Sequence, residues 1–393
     1  MQKTQRSSLK DSLPIGYLPE QTCKFDKIIS FGGNWASGSS VVGNFLNEFP
    51  NIDVVGQIYN GKNSFEQHRG KGGELHFFVM TWFCKFAKLM NRTTDTEKDI
   101  IIKMFINDIQ NCYSSKLVMG EQYSPHIYNE KFIRICSELL LSVLDLTPHD
   151  MEIINENNFP NCYDSVPSIY DTCSFINGSG KYKHIFYRLK HLQPYEFALY
   201  IRNFIENFFN LYYKENKIIA GDQLCYNQSI LEIMNYYLFD SPIRQISVYR
   251  DPRDQFFSIY RYHLHFAKHH MENISTFVNF YKKSRQLDYV AQNPYDKNMI
   301  VRFEDLVLKY DETTGTIMDF LELDPAMHIH KKQFFDPAIS VNNIGSYKLF
   351  ADQDFMRKIE DALGEFCYYP EKENLSEAAW NLLNSRTFFI DKP

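Results

Sequence analysis

The sequence predicts an α/β fold in which helices cover both faces of a mostly parallel central sheet. Short apolar runs rich in β-branched residues predict the strands, at residues 27–31, 52–55, 217–220, 243–249 and 298–301. Segments with helical spacing alternate with these runs, and such alternation is typical of parallel sheets. Ligands of such sheets bind outside the carboxyl ends of the strands, so residues that directly follow a strand are the first candidates for a functional site.

The composition excludes several classes of protein. The 393 residues are 44% hydrophobic and 16% aromatic, which is enough to bury a large core and too apolar for a disordered chain. A net charge of −6 argues against a nucleic-acid partner or an anionic membrane surface, because both require clustered positive charge. No window offers about 18 uncharged apolar residues for a membrane span, and no apolar segment typical of a secretory signal follows the basic N-terminus. Eight cysteines without CxxC spacing favour reduced thiols, so we expect a soluble, cytoplasmic protein.

The chain is expected to form a single α/β domain, residues 1–393, with a mainly helical insertion at residues 57–216. Helical spacing within the insertion predicts helices near 74–90, 97–112, 128–145 and 194–213, and a polar loop around 155–183 interrupts them. The aromatic residues of the last of these helices recur at helical spacing, so we expect most of them to lie in a core.

A glycine-containing segment between the first predicted strand and the first predicted helix has the spacing of a phosphate-binding loop. Gly33, Gly38 and Ser40 give the pattern GxxxxG-x-[ST], which directs the backbone N–H groups of residues 37–40 into one concavity. Ser39 stands where nucleoside triphosphatases carry the lysine that reaches the β- and γ-phosphates, so a Mg-ATP or GTP site would lack its main cation. The alternative is a serine and glycine turn that only caps a helix.

A second segment, RDPRDQFFS, directly follows the fourth predicted strand. Arg250 is therefore delivered to the carboxyl edge of the sheet, Asp251 suits the N-cap of the next helix, and Pro252 suits its first position. Ser258 lies two turns along that helix, where its hydroxyl can join the Arg250 guanidinium around a tetrahedral anion. The alternative is an ion pair between Arg250 and Asp254, with Ser258 turned to solvent.

Together these segments resemble the sulfotransferase family, whose members use 3′-phosphoadenosine 5′-phosphosulfate (PAPS) as sulfonate donor. Residues 37–40 look like the end of the family's 5′-phosphosulfate loop, and residues 250–258 match its 3′-phosphate signature, Arg-Asp/Asn-Pro-x-Asp-x-x-x-Ser, at each fixed position. The resemblance continues in residues 301–306 (VRFEDL), similar to the family's RYEDL element, in residues 317–323, similar to its helix ending in FLGL, and in residues 342–347 (NNIGSY), similar to its Asn-x-Gly-x-Trp loop. It covers residues 25–56 and 217–368 and leaves the insertion unassigned.

The resemblance implies a P-loop sulfotransferase fold and a set of residues that bind PAPS. It assigns the 5′-phosphosulfate to Ser37, Gly38, Ser39 and Ser40, the 3′-phosphate to Arg250 and Ser258, and the flanks of the nucleotide to Asn343, Gly345 and Tyr347. It further implies transfer of a sulfonate group to a hydroxyl or amine without a metal ion. The insertion would then form a cap that binds a small-molecule, glycan or peptide acceptor.

One position departs from the family pattern. Ala36 stands where the family carries an arginine or lysine that stabilises the bridging oxygen as the sulfonate leaves. Arg69 and Lys71, in a polar loop that also contains His68, are candidates to supply the missing cation.

Sulfonate transfer also needs a group that takes the proton of the acceptor. We prefer His68 for this role, and Asp222 is the second candidate because it follows a predicted strand. Gln57 lies near the place where some family members carry a glutamate, and an amide cannot act as the base. For His68 and Asp222 alike, the alternative is a solvated position on the surface.

Three classes of function stay open on the sequence alone. The first is a PAPS-dependent sulfotransferase. The second is a sulfotransferase-fold protein that binds the nucleotide but has lost turnover, an alternative motivated by Ala36 and Gln57. The third is a P-loop kinase or nucleotide hydrolase, against which Ser39 counts. Histidines at positions 263, 265, 269 and 270 have metal-like spacing, but sulfonate transfer from PAPS needs no metal, so we expect none.

Overall fold

The computed structural model describes residues 25–33, 36–55, 135, 138–139, 142, 144–145, 188–189, 194–210, 216–222, 224, 243–262, 264–285 and 298–386. They fall into two compact units. One unit holds Met1–Asp26, Phe78–Lys214 and Ser229–Ser241, and the other holds Lys27–Phe77, Glu215–Gln228 and Pro242–Pro393. The predicted helices at 74–90 and 97–112 and the predicted loop at 155–183 lie outside the described residues. The boundary of the insertion at 57–216 therefore stays a prediction.

The second unit is built on a five-stranded parallel sheet with strand order β2-β5-β1-β6-β7. Its strands are β1 (Lys27–Gly32), β2 (Ile52–Val55), β5 (Ile218–Asp222), β6 (Ile243–Tyr249) and β7 (Asn298–Arg302). This arrangement confirms the predicted parallel α/β fold. In the first unit, β3 (Leu144–Asp145) and β4 (Arg188–Leu189) form an antiparallel pair.

Helices follow most strands of the sheet. In chain order, the described helices are α1 (Ser40–Leu46), α2 (Pro194–Asn210), α3 (Pro252–Tyr262), α4 (Leu264–Glu272), α5 (Ile274–Ser284), α6 (Phe303–Leu308), α7 (Tyr310–Leu321), α8 (Pro337–Ser340), α9 (Gln353–Leu363) and α10 (Glu377–Asn384). The predicted helix 128–145 is wrong at its last two residues, because the backbone of Leu144 and Asp145 pairs with β4 instead. This is a case in which tertiary pairing overrides local helical spacing. In the described part of the chain, no helix is both long enough and apolar enough to cross a membrane.

One face of the sheet carries the main hydrophobic core. Phe31 of β1 and Val248 of β6 point to this face, where they belong to one buried cluster with Phe45 of α1 and Leu306 of α6. Each side chain of this size gains about 1.5–3 kcal/mol when it is fully buried. The core therefore fixes α1, and with it the loop before α1, against the carboxyl half of the sheet.

The opposite face of the sheet is more polar. Ser247 donates a hydrogen bond of 3.0 Å to Asn298 of the neighbouring strand, and both side chains are buried. The ring of Tyr249 is covered on this face by Arg285, which follows α5 and whose Cζ lies 3.7 Å from the ring centroid. Since α1 packs on the first face, helices lie on both faces of the sheet, as predicted.

A buried carboxylate anchors the end of α1. Glu48 accepts hydrogen bonds from the Tyr310 hydroxyl and from the backbone N–H groups of Phe334 and Phe335, at 3.1–3.3 Å, and it also pairs with His328. Several donors at once are what a buried carboxylate requires. Glu48 thus joins α1 to the segment that precedes α8.

Candidate nucleotide-binding site

The loop between β1 and α1 folds tightly onto β6. A Cβ atom on Gly33 would lie 2.2 Å from Ser37 Oγ and 2.3 Å from the carbonyl oxygen of Val248, so only glycine fits there. Ala36 and Gly38 both have positive φ angles, 60° and 87°. Ser37, between them, is 2% exposed, and its Oγ has no hydrogen-bond partner in the part of the chain that the structure describes.

The ring of Phe303 packs against the β1–α1 loop at Gly38. This ring would lie 2.5 Å from a Cβ atom on Gly38, so glycine allows the loop to rest directly on the ring. The Arg250 guanidinium lies over the same ring, with 5.0 Å between Cζ and the ring centroid. Phe303 therefore brings the β1–α1 loop and the arginine of the second motif together, although we did not single it out from the sequence. It directly follows β7, so the rule that selected Arg250 would also have selected Phe303.

Arg250 lies at the carboxyl end of β6 and is only 4% exposed. Its Nη1 donates a 2.9 Å hydrogen bond to Ser258 Oγ and lies 3.5 Å from the carbonyl oxygen of Ala36, while its Nη2 donates to the carbonyl oxygen of Asn343. Its Nε has no hydrogen-bond partner among the described residues. Ser258 thus lies beside the guanidinium rather than turned to solvent, and the anion that the two would share stays a prediction. Because Ser258 accepts from Arg250, its own hydroxyl hydrogen is directed elsewhere and can donate to an anion.

The start of α3 is fixed by Asp251. The carboxylate of this residue accepts from the backbone N–H of Arg253 at 2.8 Å, which is an N-cap, and from Arg253 Nη2 at 2.7 Å. Pro252 is the first residue of the helix. Asp251 also accepts from the backbone N–H of Tyr368 at 2.8 Å. The carboxylate thereby holds Arg250, which precedes it, at a defined position relative to α3.

Asp254 does not pair with Arg250, as the alternative from the sequence would require, but binds the loop formed by residues 342–347. Its carboxylate accepts from the backbone N–H groups of Gly345 and Tyr347, at 2.7 and 2.9 Å, and from Ser346 Oγ at 2.9 Å. We call residues 342–347 the closing loop. Asp254 thus brings Asn343, Gly345 and Tyr347 to the second motif.

Gly345 and Tyr347 have separate roles in the closing loop. Gly345 has a φ of 73°, a conformation that glycine adopts without strain. The ring of Tyr347 lies 4.3 Å from Arg253 Cζ, which is a cation–π contact. The closing loop therefore meets α3 through an aromatic ring as well as through hydrogen bonds.

Two carboxyl groups close to Arg250 are buried, those of Asp254 and Glu304. Glu304 is 0% exposed, and its Oε1 accepts a 2.9 Å hydrogen bond from the backbone N–H of Asp251. Burial raises the pKa of Glu304 to about 8, and the charge of Arg250 only partly offsets this rise. Burial also raises the pKa of Asp254, against the lowering effect of Arg250. Burial thus works against a negative charge on either of these carboxyl groups.

The other predicted residues lie as follows. Ser39 precedes α1, is half-buried and makes no side-chain capping hydrogen bond, and Ser40 is the exposed first residue of α1. Asp222 is the half-buried last residue of β5, next to Phe31 of β1 in the sheet. The proposed roles of His68, Arg69 and Lys71 fall on residues outside those that the structure describes, as does Gln57.

A metal site requires several His, Cys, Asp or Glu side chains close together. Within the described ranges, no group of three or more His, Cys, Asp or Glu side chains could hold a metal ion. Of the four clustered histidines, His270 pairs its Nδ1 with Thr276 Oγ1 at 2.8 Å. The side chains of the other three lie outside the described part of the structure.

The described residues form an α/β sheet at whose strand ends Arg250 and Ser258 meet the glycine-containing β1–α1 loop. A family model described as a sulfotransferase domain matches residues 138–360, more than half of the chain, so the chain belongs to the sulfotransferase family. The match includes Arg250, Ser258, Phe303 and the closing loop, and it begins after the loop between β1 and α1.

Two solved structures are among those similar to this chain. One is the sulfotransferase domain from the Synechococcus PCC 7002 olefin synthase, with 14% identity, coverage of 95% of this chain and 98% of that chain, and a TM-score of 0.35. The other is the sulfotransferase STF9 from Mycobacterium avium, with 11% identity, coverage of 88% and 78%, and a TM-score of 0.32. No curated protein matches the sequence.

Proposed function

We propose that this protein is a PAPS-dependent sulfotransferase that transfers a sulfonate group to a hydroxyl or amine of its acceptor. The observation that carries the proposal is the buried contact of Arg250 with Ser258, which lies next to both the β1–α1 loop and the closing loop. The chain in which this contact occurs belongs to the sulfotransferase family. Two loops that are far apart in the sequence thus meet at the guanidinium of Arg250.

The residues present fit an anionic nucleotide. Ser37 Oγ and Arg250 Nε are buried donors without a partner in the described part of the chain, and each would gain one from a phosphate or sulfate oxygen. We assign the 5′-phosphosulfate to Ser37, Gly38, Ser39 and Ser40, and the 3′-phosphate to Arg250 and Ser258. Asn343, Gly345 and Tyr347 would flank the nucleotide.

PAPS, when bound, supplies an activated sulfonate group. The chain has to orient that group, to offer positive charge where negative charge grows, and to accept a proton from the acceptor. Ala36 offers no charge, and for this role we propose Arg69 or Lys71. For the proton we propose His68, with Asp222 at the carboxyl end of β5 as the second candidate. No metal ion is part of this proposal.

The proposal extends to the acceptor and the compartment. We expect the insertion to bind a small-molecule, glycan or peptide acceptor, and neither a nucleic acid nor a membrane to be a partner. The scattered cysteines favour the cytoplasm.

A second candidate function is supported by Ala36 itself. With an alanine at this position, a protein could keep the nucleotide site and turn over slowly or not at all. A P-loop kinase is a more distant alternative, because Ser39 replaces the lysine that such enzymes need. Incubation with radiolabelled PAPS and a mixed panel of acceptors separates the first two functions, and turnover of ATP with Mg²⁺ would favour the third.

The decisive test of the nucleotide site is Arg250→Ala. Calorimetry should show that adenosine 3′,5′-bisphosphate (PAP) binds the wild-type protein without Mg²⁺ and that the variant binds it at least about tenfold more weakly, because a charge-assisted contact contributes about 1.5–3 kcal/mol. AMP, which lacks the 3′-phosphate, should bind both proteins nearly equally.

Arg244→Ala is the matched control, because Arg244 is an arginine of the same strand that pairs with Glu322. This variant should leave the affinity for PAP unchanged. Equal losses of PAP and AMP affinity in Arg250→Ala would contradict the assignment of the 3′-phosphate to Arg250.

A further inference from the structure

The closing loop is held by three charged side chains from two parts of the chain. Two of them, Arg250 and Asp254, belong to the motif at the start of α3. The third is Arg386, which follows α10 and donates a 2.6 Å hydrogen bond from its Nη1 to the carbonyl oxygen of Ile344. Arg386 lies beyond residues 138–360, the part that matches the family model.

The Arg386 guanidinium packs against the turn of the closing loop. A Cβ atom on Gly345 would lie 2.7 Å from Arg386 Nη1, and apart from the chain neighbours of Gly345 no other described residue would come within 4 Å of it. Glycine at position 345 therefore serves two needs, because the backbone has a positive φ there and because the guanidinium occupies the space of a side chain. Burial lowers the pKa of Arg386, and the carboxylate of Asp254 acts against that effect.

The contacts on the two sides of Ile344 connect Arg386 with Arg250. The residue before Ile344 is Asn343, whose carbonyl oxygen accepts from Arg250 Nη2, and the residue after it is Gly345, whose N–H donates to Asp254. If the carbonyl of Ile344 lost its partner, the peptide unit between Ile344 and Gly345 would be held only through its N–H, by Asp254. The neighbouring carbonyl of Asn343 would then be less firmly fixed as an acceptor for Arg250.

We propose that Arg386 is a positioning residue of the nucleotide site, which fixes the closing loop so that Arg250 and Ser258 are aligned for a 3′-phosphate. This inference rests on the proposed function for the identity of the ligand. The link between Arg386 and the closing loop does not.

Two measurements on the full chain test this inference. The first needs no nucleotide: amide hydrogen exchange of peptides that cover residues 342–348 should be about tenfold faster in Arg386→Ala than in the wild-type protein, while peptides from β6 stay unchanged. The second is calorimetry, in which Arg386→Ala should bind PAP about tenfold more weakly and AMP nearly as well as the wild-type protein does, because only the 3′-phosphate site is misaligned. A general loss of structure would instead weaken both nucleotides.

Conservative and control variants sharpen the result. Arg386→Lys keeps a charged donor and should restore part of the PAP affinity. Arg357→Ala removes an arginine that is 74% exposed and pairs only with Asp354 on α9, and it should change neither measurement.

A double-mutant cycle isolates the contact itself. Gly345→Ala should weaken PAP binding more in the wild-type background than in Arg386→Ala, because the added methyl group then no longer meets the guanidinium. Additive effects would show that the two residues act independently and would overturn the proposed contact.

The outcomes separate the two proposals. If the wild-type protein binds PAP but Arg386→Ala binds it equally well, the inference is wrong and the proposed function stands. If the wild-type protein binds no PAP, the proposed function and the nucleotide part of the inference both fail. Unchanged exchange in the closing loop would refute the positioning role in either case.

Discussion

Ala36 stands where the resemblance to the sulfotransferase family implies an arginine or lysine. Its φ of 60° is uncommon for a residue with a side chain, and its carbonyl oxygen points toward Arg250, with 3.5 Å between that oxygen and Nη1. A longer residue could adopt the same backbone conformation, because the cost of a left-handed φ is set mainly by the presence of a Cβ atom. The loop backbone would therefore accept a lysine or arginine at this position, and the cation is absent because the residue is an alanine.

The rate of sulfonate transfer should reveal where the missing cation comes from. If no other group replaces it, Ala36→Lys should raise the single-turnover rate at saturating PAPS, since a well-placed charge can contribute about 10²- to 10³-fold. If the loop near His68 supplies it, Arg69→Ala or Lys71→Ala should lower the rate with little change in PAP affinity, because the contact strengthens only in the transition state.

Ala36→Gln controls for length without charge and should not raise the rate. An unchanged rate in the lysine and both alanine variants would place the cation elsewhere and would contradict our assignment of Arg69 and Lys71.

At the scale of single residues, the sequence predicts local partners better than distant ones. The contact of Arg250 with Ser258 follows from a strand end and two turns of helix. The partners of Asp254 do not, because Gly345 is 91 positions away and a carboxylate in a first helical turn fits several roles. Phe303 follows a strand in the same way as Arg250, but nothing in its local sequence shows that Gly38 rests on its ring.

At the scale of elements, the β1–α1 loop depends on one close packing contact. Gly38→Ala combines an unfavourable φ of 87° with a methyl group 2.5 Å from the Phe303 ring. We expect the free energy of unfolding to fall by about 1–3 kcal/mol and the affinity for PAP to fall with it. Chemical denaturation and calorimetry on the same samples measure both effects.

Gly315→Ala is the matched control in α7, because a Cβ atom there meets no described atom within 4 Å outside the backbone of its own helix. It should stabilise the protein by up to about 1 kcal/mol through helix propensity and leave nucleotide binding alone. A Gly38→Ala variant that is as stable as the wild-type protein would contradict the packing described for Phe303.

The elements of the sheet are also the ones that the sequence predicts best. Strands β2 and β6 have the predicted bounds, and β1, β5 and β7 differ by one or two residues at their ends. These strands are short apolar runs that the core covers, so a local signal suffices. Leu144 and Asp145 form a strand only because Arg188 and Leu189 pair with them, and no local pattern encodes that partner.

At the scale of the whole molecule, Glu304 should make stability depend on pH. Burial raises its pKa to about 8 in the folded protein, above the ordinary value of 4.5. The folded state therefore binds the proton more tightly than the unfolded state does. The resulting stabilisation is fully present below about pH 4.5 and is lost as the pH rises toward 8.

The comparison of wild-type protein with Glu304→Gln isolates this effect. The amide oxygen of glutamine can still accept from the backbone N–H of Asp251, so the variant should fold. Relative to it, the wild-type free energy of unfolding should fall between pH 5 and pH 8 by at most about 1.4 kcal/mol per pH unit. Denaturant titrations at several pH values measure the difference, and Glu312→Gln, at an exposed position of α7, serves as control. Parallel profiles of wild type and Glu304→Gln would show that Glu304 is not protonated in the folded state.

The strand order has a consequence for how the protein is made. The central strand β1 ends at Gly32, but its two neighbours begin only at Ile218 and Ile243. At about 5–20 residues per second, a ribosome spends roughly ten to forty seconds between β1 and the first of these neighbours. For that time a nascent chain carries the apolar β1 with both edges unpaired, a segment to which chaperones and other nascent chains can bind. The complete sheet can form only after synthesis has passed Arg302, and a ribosome that stalls before β5 releases a chain in which β1 has neither of its partner strands.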